Sequence, residues 1–173
     1  MNLHNMKTTF FKGLRSTKPE KVTELSEILE KIRSGEWRDK VEKCHKDLKY
    51  KDYLPCFTPT GVFNHRSIKG LEEYNGIICL DIDHVEDPEA LKKNVARLAY
   101  VHAAFVTPSG KGLKVIVKTN GTAENFKTTE ECVASAIFHD SGAIRDIRCK
   151  DIARIQFVSY DPTIYINEHS VTF

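Results

Sequence analysis

The segment Gly76-Ile-Ile-Cys-Leu-Asp81-Ile-Asp83 constrains this chain more than any other, because an apolar run that ends in Asp-x-Asp carries two carboxylates to the end of a buried strand. Residues i and i+2 of a strand point to the same side. Asp81 and Asp83 therefore face one point in space, and their like charges call for a counter-charge. A divalent cation such as Mg²⁺ or Mn²⁺ between them is one solution. The other is a strand end at which one Asp caps and the other is solvated.

The chain of 173 residues is long enough for one domain with a sizeable core, or for one domain that carries a smaller lobe. With 40% apolar and 29% charged residues it has an ordinary globular composition, and a formal net charge of +2 does not by itself mark a nucleic-acid binder. The charge is uneven, however, since residues 1–55 hold 13 of the 26 Lys and Arg against 9 acids. Five widely spaced cysteines with no C-x-x-C pair indicate neither a disulfide framework nor a zinc site, and they fit a reducing, cytoplasmic compartment. The N-terminus lacks an apolar leader and no run reaches the length of a membrane span, so no membrane partner is expected.

Thr17-Lys-Pro-Glu20 reads as a capping box, after which Val22, Leu25, Ile28, Leu29 and Ile32 recur at helical spacing until Gly35. A second, more polar helix is predicted from about Trp37 to Leu48, followed by short extended pieces at residues 53–57 and 61–63. These parts make up an N-terminal helical and extended lobe, residues 1–75. From residue 76 the pattern becomes the Asp-x-Asp strand, a helix opened by Asp87-Pro88, and a strand from Val101 to Val106. The short turn Thr107-Pro-Ser-Gly-Lys-Gly112 then leads into an antiparallel partner, Leu113 to Lys118. A helix from about Ala123 to Phe138, capped by Thr122, and strands at 154–160 and 163–167 complete residues 76–173. The fold class is α+β with a mixed or antiparallel sheet.

Three further constellations bear on chemistry. In the 107–112 turn, small residues let backbone N–H groups approach an anion, with the Ser109 hydroxyl and the Lys111 and Lys114 ammonium groups nearby. This is a triphosphate-binding composition, although no Walker A pattern is present, and a Gly-rich hairpin with solvated lysines competes with it. Alternation puts Leu113, Val115 and Val117 on one face of their strand and Lys114 on the other, from which it leans toward Asp81 and Asp83. The segment from Arg145 to Arg154 supplies Asp146, and as a second choice Asp151, as a third metal ligand among four bases, unless it is a solvated charged loop. Arg154 opens an apolar strand and could hold a phosphate bidentately. Asp161 beside Pro162 reads as a turn former rather than a ligand.

Taken in order, Phe10-Phe-Lys-Gly, Leu54-Pro-Cys-Phe-Thr-Pro-Thr-Gly-Val-Phe63, Gly76 to Asp83, Thr107 to Lys114 and Arg154 to Pro162 resemble the VirE N-terminal domain family of mobile elements and phages. That family in turn resembles the archaeo-eukaryotic primase and primase-polymerase superfamily. The resemblance implies a single domain, residues 1–173: a primase-like catalytic module on an RRM-like sheet, with the lobe in front of it. It also implies that Asp81, Asp83 and Asp146 are catalytic metal ligands for Mg²⁺ or Mn²⁺. Ser109, Gly110, Lys111, Gly112, Lys114 and Arg154 would hold the nucleotide phosphates, with Lys114 standing where the superfamily has a His.

The implied activity is metal-dependent nucleotidyl transfer in the replication of a mobile element or phage, with nucleoside triphosphates and a single-stranded DNA template as partners. A helicase domain in the same or a neighbouring chain is a further expected partner, and the end at Val171-Thr-Phe173 suggests the N-terminal part of a longer protein. Basic residues of the lobe would track the template, and Trp37, Tyr53 or Phe57 would stack on bases. Two alternatives remain open. One is a catalytically degenerate, primase-like DNA-binding or replication-initiation module. The other is a haloacid-dehalogenase-type phosphatase, whose Asp-x-Asp-x-[Thr/Val] pattern Asp81 to Val85 also fits.

Overall fold

A computed structural model describes residues 6–141 and 151–173. The N-terminal half is built on a sheet. β1 (Lys7–Phe11) pairs antiparallel with β2 (Lys21–Glu24) on one side and with β3 (Cys56–Thr58) on the other, and β9 (Gln156–Phe157) completes the order β2-β1-β3-β9. The Thr17 capping box is therefore corrected: residues 21–24 are strand, and α1 (Leu25–Ser34) begins only after them. β-Branched Val22 and Thr23 suit the ladder with β1, and Val22 remains 47% exposed instead of joining the helix's apolar stripe. α1 ends as expected, with Gly35 in the left-handed region at φ 88°. After α2 (Arg38–Lys46) comes a 3₁₀ helix (Leu48–Tyr53), so the predicted second helix changes character near residue 47. A small hairpin of β4 (Gly61–Phe63) and β5 (Leu71–Tyr74) lies against β1, where Phe63 N–H donates to Thr9 Oγ1.

The second sheet contains β6 (Ile77–Asp83), β7 (Val101–Val106), β8 (Gly112–Lys118) and β10 (Tyr165–Ile166), in the order β10-β7-β8-β6 with every pairing antiparallel. The β7–β8 hairpin forms where the sequence places it. The two C-terminal strands are much shorter than predicted, at two residues each. α3 (Pro88–Val95) and α4 (Phe126–Ser141) cover one face, with Asp87 capping α3 by accepting from Ala90 N–H at 2.9 Å. Thr122 does not cap α4. Its own N–H instead donates to the Asn125 side chain, which sits at the helix start.

Alternation divides the second sheet between two cores. Ile78, Leu80, Ile82, Leu113, Val115 and Val117 pack with α3 and α4, whereas Ile77, Ala103, Phe105 and Ile116 pack with α1, α2, Phe10 and Phe57. The fold is thus α+β with antiparallel sheets, and the Asp-x-Asp strand is enclosed on both faces. No helix among the described residues is long and apolar enough to cross a membrane.

A buried ion pair ties the C-terminal segment to α3. Lys92 Nζ donates to Asp161 Oδ1 at 2.9 Å and Oδ2 at 2.7 Å, and also to Thr163 Oγ1 and Glu89 Oε1. Asp161 in turn accepts from Val106 N–H and Thr163 N–H, each at 2.9 Å. Asp161 is a turn former, as expected, but it also joins α3 to the end of β7. Lys92→Ala would leave this carboxylate buried without its counter-charge, so a loss of about 3–5 kcal/mol is expected in urea unfolding. The Lys92→Met, Asp161→Asn double variant should lose less than the sum of the two single changes.

His102 on β7 is buried, and its Nδ1–H donates to the Asn167 carbonyl at 2.9 Å. Burial holds its pKa below the usual 6.5, with Lys118 adding to the effect and the Asn167 bond opposing it. The unfolded chain therefore binds a proton here that the folded chain resists, so this residue's contribution falls as pH drops through and below 6.5. His102→Gln is expected to flatten the acid side of the stability profile, read as urea midpoints between about pH 7.5 and 5.

Candidate functional site

The Asp-x-Asp strand and the Lys114 strand are direct neighbours. In the β6–β8 register Asp81 lies opposite Lys114, and on the other side Lys114 lies opposite Phe105, so one row crosses three strands. The Lys114 ammonium sits 2.5 Å from Asp81 Oδ2, and the lysine is only 3% exposed. Opposed charges across a ladder attract, and burial raises both that attraction and the cost of losing it. The predicted lean of Lys114 toward Asp81 is thus present as a contact. Asp81 Oδ1 is also buried, and it has no hydrogen-bond partner among the described residues.

Asp83 ends the strand, exposed and opposite Gly112. A Cβ at Gly112 would lie 2.7 Å from the Ile82 carbonyl oxygen and 3.0 Å from Thr107 Oγ1, so only glycine lets the turn close onto β6 here. His84 follows at φ 56°, and Val85 N–H donates to the Lys111 carbonyl, which binds the chain after Asp83 to the turn.

The 107–112 turn is closed on itself. Gly110 N–H donates to the Thr107 carbonyl, Thr107 N–H to the Gly112 carbonyl, and Lys111 N–H to Ser109 Oγ at 3.3 Å. The Thr107, Gly110 and Lys111 amides are therefore engaged within the turn, while the Lys111 side chain is exposed. The end of α2 borders the same turn, with His45 Nε2 3.5 Å from a Cβ placed on Gly110.

The other predicted members lie elsewhere. Arg154 is exposed and lines a cavity of about 290 Å³ with Arg66, Ser67, Asp151 and Phe157, a set that does not include Asp81, Asp83 or Lys114. Asp151 is a local turn residue: its Oδ1 accepts from Ala153 N–H and its carbonyl from Arg154 N–H. Asp146 falls outside the described residues. Among the described residues no group of three or more His, Cys, Asp or Glu is placed to hold a metal ion. Of the aromatics considered for stacking, Phe57 is fully buried, Trp37 is buried against Phe10, and Tyr53 is 73% exposed.

Cys56 was not anticipated as a neighbour of the site. Burial pushes its thiol up to about 12, while the charges of Arg66 and Lys114 oppose that rise. It is therefore a protonated core group rather than a nucleophile. Nothing in its local sequence marks this position, because the proximity depends on β3 of the first sheet approaching the second.

The geometry defines an α+β domain of antiparallel sheets in which a largely buried Asp–Lys pair joins the edge strand β6 to β8, beside an exposed Asp and a glycine turn. The chain belongs to the BT4734-like, N-terminal domain family, whose profile matches residues 49–166. That match corrects the resemblance to the VirE N-terminal domain family, and it supplies no link to the primase superfamily. Nothing matches the chain among curated proteins or solved structures.

Lys114→Met is expected to destabilise the domain by about 3–5 kcal/mol in urea unfolding, since it strands the Asp81 carboxylate. The Lys114→Met, Asp81→Leu double variant should recover much of that loss.

Proposed function

We propose that this domain carries out metal-dependent nucleotidyl transfer of the primase or primase-polymerase type, through a primase-like module centred on β6 and β8. The observation that supports it best is the buried, unpartnered Asp81 Oδ1, on the same strand face as exposed Asp83. A buried carboxylate oxygen without a partner is costly, and a ligand that accepts its lone pairs relieves the cost. These two carboxylates suit a hard divalent ion, Mg²⁺ or Mn²⁺, and Asp146 would complete the set. Such an ion would supply charge stabilisation and activation of the attacking 3′-hydroxyl. Lys111 would hold the triphosphate from the turn, and Lys114 would orient the Asp81 carboxylate. The antiparallel sheet favours this function over the haloacid-dehalogenase-type phosphatase, which needs a parallel, doubly wound one.

A second reading, a DNA-binding module without catalysis, draws on the Lys114 ammonium. It already neutralises Asp81, so a metal ion would have to bind beside a resident cation. Calorimetry of a nucleoside triphosphate with Mn²⁺ separates the two. Under the catalytic proposal the wild type binds nucleotide only with metal, and Asp83→Ala loses that binding together with more than about a hundredfold of primer synthesis. Asp83 is exposed, so its removal leaves the fold intact. Metal-independent behaviour in the wild type would rule the catalytic proposal out.

A further inference from the structure

The most exposed large apolar side chain among the described residues is Tyr53, and Tyr50, at 40% exposed, lies three residues before it in the same 3₁₀ helix. Side chains at i and i+3 of a 3₁₀ helix eclipse, which puts both rings on one side, about 6 Å apart along the axis. Both line an open cavity of about 880 Å³ whose opposite wall is the turn between β1 and β2. Gly13 seats that turn: a Cβ there would lie 3.2 Å from the Asp52 carbonyl oxygen, so the wall is pressed against the helix that carries the tyrosines.

The charge around these rings is mostly positive. Lys12 and Arg15 line the cavity, and neither makes an ion pair among the described residues. Lys49 lies over the Tyr50 ring, 5.2 Å from its centroid. Lys12 also lines a groove of mixed charge, in which Lys21 and Lys40 stand with Glu20, Glu27 and Glu36, and Leu14 also lines the cavity of Arg66, Arg154 and Asp151. Exposed rings with the unpaired cations Lys12 and Arg15 beside them fit a polyanion that also presents flat apolar faces.

We infer that this face binds single-stranded nucleic acid, with Tyr50 and Tyr53 stacking on bases and Lys12 and Arg15 contacting phosphates. A duplex keeps its bases stacked inside, and an acidic peptide offers no flat faces for the rings. That the bound strand serves as template rests on the proposed function; the binding itself needs neither metal nor Asp81.

Fluorescence anisotropy of the 173-residue chain in EDTA, without nucleotide, tests the inference with labelled oligodeoxythymidylate, oligouridylate and a DNA duplex. Either single strand should bind better than the duplex, and the tighter of the two assigns DNA or RNA as the ligand. Tyr50→Ala and Tyr53→Ala should each weaken binding by roughly tenfold, while Tyr53→Phe retains it. Lys12→Ala and Arg15→Ala should each lower the salt dependence by about one contact. Absence of strand binding at low salt, binding indifferent to both tyrosines, equal affinity for duplex, or equal competition by polyglutamate would each overturn it. Strand binding that persists when the wild type shows no metal-dependent nucleotide binding leaves this surface standing and removes only the catalytic proposal.

Discussion

A sheet packed on both faces leaves a charged side chain within it little access to water, and this constraint organises the centre of the molecule. Lys114 enters the interior between two cores only because Asp81 stands opposite it on the neighbouring strand. The pair fixes the register of β6 against β8, since a slip of β6 by one residue would turn Asp81 to the opposite face of the sheet, away from Lys114. Register in turn brings Asp83 opposite Gly112 and sets the 107–112 turn at the strand end. The geometry of the candidate site is therefore a consequence of how one buried charge is neutralised.

The same neutralisation bears on function. An Asp-x-Asp pair in isolation calls for a cation, and in this fold a lysine already supplies one to Asp81. What remains available is the second oxygen of that carboxylate, buried and unpartnered, and the whole of Asp83, exposed at the strand end. Metal chemistry here would work beside a resident ammonium instead of filling an unbalanced site. The closed turn adds to this picture, because three of its amides already donate to the turn's own oxygens and the exposed Lys111 is the cation it offers.

Some of this was legible in advance. The apolar run before Asp81, the Asp87-Pro88 helix start and the tight turn between two alternating runs each carry a local signal, and each formed where expected. The Thr17 capping box failed because helix signals there competed with an open strand edge on β1, and pairing with that edge prevailed. The apolar pattern after Arg154 predicts a strand that would put it with the phosphate-binding group, but that strand is only Gln156–Phe157 and Arg154 lines a different cavity. Tyr53 illustrates the same limit from the other side. An aromatic residue in a polar stretch usually belongs to the core, and only the 3₁₀ helix turns this one outward beside Tyr50.

The sequence alone determined the alternation that puts the two carboxylates on one face of their strand and sets Lys114 apart from Leu113, Val115 and Val117 on its own, because strand periodicity is a local property of the chain. It also set the β7–β8 hairpin, whereas the pairing of β6 with β8, which brings the carboxylates opposite Lys114, joins strands separated by α3 and β7 and was decided by the tertiary structure. The tertiary structure decided that this face is buried, and burial is what converts three nearby charges into an ion pair, an orphaned oxygen and one exposed carboxylate. It likewise decided that β9 from the C-terminal part completes the first sheet and that Asp161 holds α3 through Lys92. Those contacts join residues far apart in the chain, and their energies come from desolvation that no local pattern of residues encodes.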